Sequence, residues 1–129
     1  MFGEAGHVYV FFSYGFHWCL NLTTEAEGQP GAVLIRALEP MGGIEQMVKN
    51  RGVSEVERLT NGPGKLTKAL SIDGEFNGED VVESKRLFVM GPGEPVRVRA
   101  SARIGIGKGR EQQWRFFVEG NPFVSTRNA

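Results

Sequence analysis

Three side chains that could do chemistry occur on neighbouring segments that are otherwise apolar. They are the ring of Phe11, the amide of Asn21 and the guanidinium of Arg36. Burying an amide and a permanent cation beside an aromatic ring costs free energy unless these groups bind a partner. The three segments therefore predict an aromatic and polar pocket. For Arg36 alone, a structural ion pair with Glu39 or another acid is the alternative.

Further candidates lie at turns and strand edges. Tyr14 falls at a predicted hairpin turn, where its ring is either a packing contact or a wedge between stacked bases. Residues 61–65 are either the start of an ordinary capped helix or an anion cradle, since free amides point outward there. Arg97, Arg99 and Arg103 suit either a phosphate backbone or a solvated strand face.

Several other site classes are disfavoured by residue counts and order. Cys19 is the single cysteine, and with only His7 and His17 it makes a disulfide framework and a zinc site improbable, so we interpret it as a packed thiol. No Ser-His-Asp order and no Walker A spacing occur, and the glycines of 105–109 lie between predicted strands. We expect no cofactor.

The side-chain periodicity predicts the elements that must hold these residues. Apolar, β-branched and aromatic runs predict strands, and positions spaced three and four apart predict a helix that Gly52 ends. Side chains alternate between the two faces of a strand, so the strand at 16–23 should have Phe16, Trp18, Leu20 and Leu22 on one face and His17, Cys19 and Asn21 on the other. Strands are expected at 8–13, 16–23, 32–38, 86–90, 96–106 and 114–119, and helices at 43–51 and from a capping Asn61 to 70.

Length and composition bound the fold and the partners. The chain has 129 residues, 40% of them hydrophobic and 23% charged, with 18 glycines and no net charge. We expect one α+β domain over residues 1–129, mostly a curved antiparallel sheet with a protruding hairpin and a few helices. No apolar run is long enough to span a membrane, and no leader pattern is present, so we expect a cytoplasmic protein. Nucleic-acid binding would need local clusters of Lys and Arg.

At these same segments the chain resembles the alkyladenine (3-methyladenine) DNA glycosylase family. The resemblance implies a monofunctional hydrolase that cleaves the N-glycosidic bond of alkylated or deaminated purines in base excision repair. It implies base flipping from double-stranded DNA, no metal and a monomer, nucleoid-associated if bacterial. The matching motifs, spread over nearly the whole chain, are Met1–Gly3, Val8–Gly15, Cys19–Asn21, Ala32–Pro40, Asn61–Leu66, Arg103–Ile106, Trp114–Phe116 and Gly120–Ser125.

The resemblance also implies roles for the pocket residues. Tyr14 would be the wedge that fills the gap in the duplex. Phe11 stands where the family usually has a stacking tyrosine, so the π-face is kept and a hydroxyl is lost. Asn21 would crowd the 2-amino group of guanine, and Arg36 would help to position the attacking water. An aromatic pocket would favour positively charged alkylated purines through cation–π attraction.

Three more residues, Met1, Lys65 and Asn121, match regions that hold the DNA strand. The family's general-base glutamate lies in a Glu-x-Glu-Ala-Tyr segment, followed by a pocket histidine, upstream of the Met-Phe-Gly motif. Neither has a counterpart in this sequence, and Glu4, Glu25, Glu27 and Glu39 do not match that motif. We therefore expect a glycosylase shortened at its N-terminus and impaired in turnover. The alternatives are a non-catalytic DNA- or nucleotide-binding module and an inactive fragment.

Overall fold

The first sheet positions the predicted pocket residues. The computed structural model describes residues 5–13, 17–26, 28, 31–91, 93–102 and 113–124. Strands β1 (Val8–Ser13), β2 (His17–Thr23) and β3 (Ala32–Leu34) pair antiparallel in the order β1-β2-β3. Residues 77–80 bond to the outer edge of β1, where the Asn77 Oδ1 accepts from the Val10 amide at 2.9 Å.

The pairing register separates two faces of this sheet. Tyr9 lies opposite Asn21, and Asn21 lies opposite Leu34, so the three share one face. The other face is buried in a core cluster formed by Val8, Val10, Leu20, Leu66, Ile72 and Val81, with Trp18 and Leu22 packed against it. The predicted separation of Trp18, Leu20 and Leu22 from Cys19 and Asn21 is confirmed, whereas His17, at the start of β2, packs against Gly64 on the core side. Phe16 lies outside the described residues.

Strand β3 is shorter than the sequence predicts, because the residues that follow it form hydrogen bonds with Thr60 and not with β2. One further sheet bond runs from the Ile35 amide to the Leu20 carbonyl at 3.0 Å. The Leu38 amide then donates to the Thr60 carbonyl at 3.0 Å, and the Leu38 carbonyl accepts from the Thr60 hydroxyl at 2.6 Å. Arg36 therefore lies two residues beyond β3, in an extended segment and not in a strand.

Two helices cover the core face. Helix α1 (Ile44–Arg51) ends at Gly52 as predicted, and α2 (Pro63–Leu70) packs between the sheet and α1. The prediction that Asn61 caps α2 is wrong: Gly62 occupies the N-cap, and the Asn61 Oδ1 accepts from the Lys65 ammonium at 3.1 Å. The Thr67 hydroxyl donates to the Trp18 carbonyl at 2.8 Å, which ties α2 to β2. Within the described ranges, no helix has the length and apolar character needed to cross a bilayer.

A second sheet consists of β4 (Val98–Ser101) and β5 (Arg115–Val118). The apolar residues of this sheet are not its buried ones. Val98 and Phe116 are exposed, whereas Ser101 and Arg115 are buried at 8% and 5% exposure, and these two side chains bond to each other. The predicted α+β class is confirmed, with the described strands divided between two antiparallel sheets.

The predicted strand at 86–90 is wrong, since this segment is irregular. It is held by Glu79, which accepts from the Ser84 hydroxyl at 2.6 Å and from the Arg86 Nη2 at 2.8 Å. The Arg86 guanidinium in turn lies 4.3 Å from the centroid of the Phe76 ring. These side-chain contacts stand in place of a strand ladder along this part of the chain.

We predict that Gly64→Ala destabilises the protein, although alanine is the better helix former by about 1 kcal/mol. A Cβ on Gly64 would lie 2.5 Å from the Cγ of His17, so the helix or the strand would have to move. The expected loss is about 1–3 kcal/mol in the free energy of unfolding, measured by urea denaturation. In a His17→Ala background the same change should cost less, since the ring is gone. An equal cost in both backgrounds would contradict the steric explanation.

We also predict a pH-dependent role for Glu79. The hydrogen bond from Ser84, and after it the one from Arg86, lowers the pKa of Glu79 below its ordinary value of 4.5. A carboxyl whose pKa is lower in the folded state contributes stability above its unfolded pKa and loses it as the pH falls through the folded pKa. The stability difference between the wild type and Glu79→Gln should therefore shrink as the pH falls below 4.5. Thermal unfolding of the two proteins over this pH range measures the difference, with Glu83→Gln, on the same segment, as the matched control.

Candidate functional site: a cavity between the two sheets

A cavity of about 1050 Å³ lies between the Tyr9–Asn21 face of the first sheet and the β4–β5 pair. Its size is at the upper end of the range typical of small-molecule sites. Most of its wall is apolar, and the polar side chains are few. The lining residues are Tyr9, Phe11, Asn21, residues 32–39, Val96, residues 114–118, Asn121, Phe123 and Val124.

Two aromatic rings form one wall of the cavity. Phe11 and Tyr9 lie two residues apart on β1, and their ring centroids are 5.6 Å apart with the planes tilted by 35°. Phe11 is 38% exposed, so part of its ring is accessible. An accessible ring of this kind can stack against a planar ligand.

Asn21 presents one kind of hydrogen-bonding group to the cavity. The residue is buried, and its Nδ2 donates to the carbonyls of Tyr9 and Cys19, each at 3.3 Å. Both amide hydrogens are thereby directed at the backbone. The carbonyl oxygen is left as the acceptor, so the expectation of an amide that both donates and accepts reduces to an acceptor.

Arg36 reaches the cavity from the extended segment that follows β3. Its Nε is buried and has no hydrogen-bond partner among the described residues. The alternative of an ion pair with Glu39 is not borne out, because Glu39 instead accepts from the Asn121 Nδ2 at 3.0 Å. A buried guanidinium N–H without a partner is a donor available to a ligand or to water.

Arg115 brings a second guanidinium to the same cavity. Its Nη1 donates to the Ser101 hydroxyl at 3.0 Å, and its Cζ lies 4.4 Å from the centroid of the Phe117 ring. Burial, and to a smaller extent the charge of Arg36, lowers the pKa of Arg115 below its ordinary value. Arg36 and Arg115 thus both line the cavity.

Asn121 lines the cavity, but its side chain is committed to the fold. Its Nδ2 donates to Glu39, and its Oδ1 accepts from the Phe123 amide at 2.8 Å. The turn after β5 is thus tied to the segment that carries Arg36. Its predicted DNA contact stays a prediction, and the side-chain bonds leave the backbone as the part that could make it.

The cavity brings together four of the predicted site residues, which are Phe11, Asn21, Arg36 and Asn121. Lys65 is elsewhere, exposed in the first turn of α2, next to the Gly64 that packs on His17. Lys65 therefore lies near the end of the first sheet at which β1 ends and β2 begins. Met1 and Tyr14 lie outside the described residues, so their predicted DNA contacts stay predictions.

Two cavity residues were missed by the sequence reasoning. Tyr9 shares the Phe11 face by the same period of two, and Arg115 is a single charge within the apolar run Trp114–Val118. That pattern had singled out Arg36, and the same rule applied to β5 would have found Arg115. In the described part of the chain, no three His, Cys, Asp or Glu side chains group closely enough to hold a metal ion.

Comparison with known proteins places the chain among related sequences. The family model of methylpurine-DNA glycosylase matches residues 1–122. Similar curated proteins carry the provisional name 3-methyladenine DNA glycosylase. One from Salinibacter ruber is 47% identical over 126 residues, which is 97% of this chain. One from Carboxydothermus hydrogenoformans is 44% identical over 130 residues, which is 98% of this chain.

The chain spans 61% of the length of the Salinibacter relative and 68% of the Carboxydothermus relative. The match therefore concerns nearly all of this chain and about two thirds of those proteins. Since the family model covers residues 1–122, which include every element described above, the chain belongs to the methylpurine-DNA glycosylase family.

Proposed function

We propose that the protein acts as a DNA glycosylase whose cavity receives a damaged purine rotated out of duplex DNA. The observation that supports the proposal is that Phe11, Asn21 and Arg36, from three separate segments, line one cavity. An enzyme that acts on a base in a duplex must take that base out of the stack and into such a pocket. The provisional names of the relatives point to the same reaction class.

Each of the three side chains has a distinct part in the proposed complex. The accessible ring of Phe11, beside Tyr9, stacks against the plane of the base. The Asn21 oxygen accepts a hydrogen bond from a donor on the base edge, and its anchored amide leaves little room for an extra substituent. The unbonded Arg36 Nε donates to an acceptor on the nucleotide or to the attacking water.

In the proposed reaction, the oxygen of water bonds to C1′ of the nucleotide as the C1′–N bond breaks. The purine leaves with the bonding electrons, and the proton that the attacking water loses passes to solvent. Glu39 is the one carboxylate among the described lining residues, and it is exposed and bonded to Asn121. We assign no proton transfer to Glu39. This favours binding without turnover by a DNA-binding module as the second candidate function.

Duplexes that contain 3-methyladenine or hypoxanthine separate the two functions. Base release, measured by chromatography of the free base, supports the glycosylase. Tight lesion-dependent binding without release supports the binding module. Equal affinity for damaged and undamaged duplex contradicts both.

We predict that Phe11→Ala weakens binding to the lesion duplex by about five- to 150-fold, because a base–aromatic stack contributes about 1–3 kcal/mol. Binding to undamaged duplex should change less. Phe12→Ala is the matched control, since Phe12 lies on the opposite face, 4.9 Å from the Trp18 ring centroid. Fluorescence anisotropy measures the affinities of the wild type, Phe11→Ala and Phe12→Ala for the lesion duplex and for the undamaged duplex. If Phe12→Ala reduces lesion binding as much as Phe11→Ala, stacking in this cavity is excluded.

A further inference from the structure

A side-chain hydrogen bond between Glu39 and Asn121 joins the two walls of the cavity. Glu39 belongs to the segment that follows β3, and Asn121 belongs to the turn that follows β5. The Asn121 Nδ2 donates to the Glu39 Oε1 at 3.0 Å, and both residues line the cavity. We call this hydrogen bond the clasp. Because its acceptor is a carboxylate, it belongs to the stronger class of charge-assisted hydrogen bonds.

The Glu39 side of the clasp is fixed by the rest of the fold. The Ile35 amide donates to a carbonyl of β2 at 3.0 Å, which ties the start of the segment to the first sheet. Thr60, which is buried, forms hydrogen bonds with the amide and the carbonyl of Leu38 at 3.0 and 2.6 Å. Arg36 lies between these two anchors, and Glu39 directly follows the second. Loss of the clasp should therefore leave Arg36 in place.

The turn on the other side of the clasp depends on Asn121 for its conformation. The Asn121 Oδ1 accepts from the Phe123 amide at 2.8 Å. The backbone bonds of the turn are longer: the Asn121 amide donates to the Val118 carbonyl, and the Val124 amide donates to the Asn121 carbonyl, each at 3.3 Å. One side chain thus stabilises the turn and attaches it to Glu39. Phe123 and Val124 also line the cavity, so the position of the turn sets the width of the cavity at this end.

The clasp should affect binding more than folding, because it is exposed at the cavity wall. A hydrogen bond exposed to water contributes little net free energy, since water competes for both partners. A base that enters the cavity displaces this water, and the same hydrogen bond is stronger in the lower dielectric that results. The clasp therefore favours the occupied cavity.

We propose that Glu39 and Asn121 are positioning residues for base binding. The clasp holds the turn after β5 against the segment that carries Arg36, and so keeps the cavity closed on an everted purine. The Asn121 side chain then acts through Glu39 and not through a contact of its own with the DNA strand. Glu39 acquires a role that needs no proton transfer. This inference rests on the proposed function, in which the cavity holds an everted base.

Exchange of donor and acceptor tests the clasp. The readout is the ratio of affinities for a hypoxanthine duplex and for an undamaged duplex, measured by fluorescence anisotropy, with a 2′-fluorine on the hypoxanthine nucleotide to prevent base release. Asn121→Asp keeps the acceptor for the Phe123 amide but places a carboxylate opposite Glu39. The ratio should fall about two- to tenfold, as expected for loss of one hydrogen bond.

The double variant Glu39→Gln with Asn121→Asp should restore the ratio. The amide introduced at position 39 can donate to the carboxylate introduced at position 121, so the clasp forms again with its direction reversed. The net charge of the double variant equals that of the wild type, so a general effect of charge on DNA binding cancels. Glu39→Gln alone keeps an acceptor oxygen for Asn121 and should stay close to the wild-type ratio.

Asn50→Ala is the matched control for loss of an asparagine side-chain bond. The Asn50 Nδ2 donates to the Ala69 carbonyl at 2.8 Å, which ties α1 to α2 on the core side of the first sheet. This variant should lower the midpoint of thermal unfolding and leave the affinity ratio unchanged. If Asn50→Ala lowers the ratio as much as Asn121→Asp does, general destabilisation explains the effect and the inference is overturned.

The remaining outcomes separate the clasp from the proposed function. A wild type that prefers the lesion duplex, with a ratio that Asn121→Asp does not lower or that the double variant does not restore, overturns the clasp and leaves the proposed function standing. Losses that are equal for both duplexes and persist in the double variant indicate a direct contact of Asn121 with the DNA strand, and they also overturn the clasp. A wild type that binds both duplexes equally contradicts the proposed function, and the role of the clasp in base binding with it.

Discussion

The pairing register of β1, β2 and β3 is the constraint on which the cavity depends. Tyr9, Asn21 and Leu34 lie in line across the three strands, and their neighbours Val8, Val10 and Leu20 form the core on the opposite face. Side chains alternate strictly along a strand, so a slip of one residue would bury the amide in the core and turn the core residues toward the cavity. The cost of exposing that core fixes the register, and the register places the polar groups.

Hydrogen bonds between residues distant in sequence determine where the sheet stops. Thr60 forms hydrogen bonds with both the amide and the carbonyl of Leu38. These bonds hold the chain away from β2, so Arg36 reaches the cavity from the segment that follows the strand. Asn121 then joins the turn after β5 to Glu39 on the same segment. The cavity wall is thus assembled from a strand, an extended segment and a turn, each held by a different contact.

The sequence predicts the elements that depend on local pattern and fails where distant contacts decide. The hairpin and its two faces follow from period two, and α1 follows from its apolar spacing and Gly52. The end of β3 could not be predicted, because Thr60 is distant in sequence. The burial of Ser101 and the exposure of Val98 could not be predicted either, because Ser101 bonds to Arg115, which is distant in sequence. Asparagine is a favoured N-cap residue, so the sequence predicts Asn61 as the N-cap of α2, but in the structure Gly62 occupies that position.

Burial of Arg115 is the least expected feature of so small a sheet. Removing a guanidinium from water is unfavourable unless hydrogen bonds and other contacts compensate, and here a hydroxyl and an aromatic ring provide part of that compensation. Burial, and after it the charge of Arg36, lowers the pKa of Arg115. Both guanidiniums line a cavity whose wall is mostly apolar, so a ligand that brings an acceptor atom supplies the partner that the Arg36 Nε lacks among the described residues. The contacts that offset the burial of Arg115 come from the fold, whereas those that offset the burial of the Arg36 Nε are left to a ligand or to water.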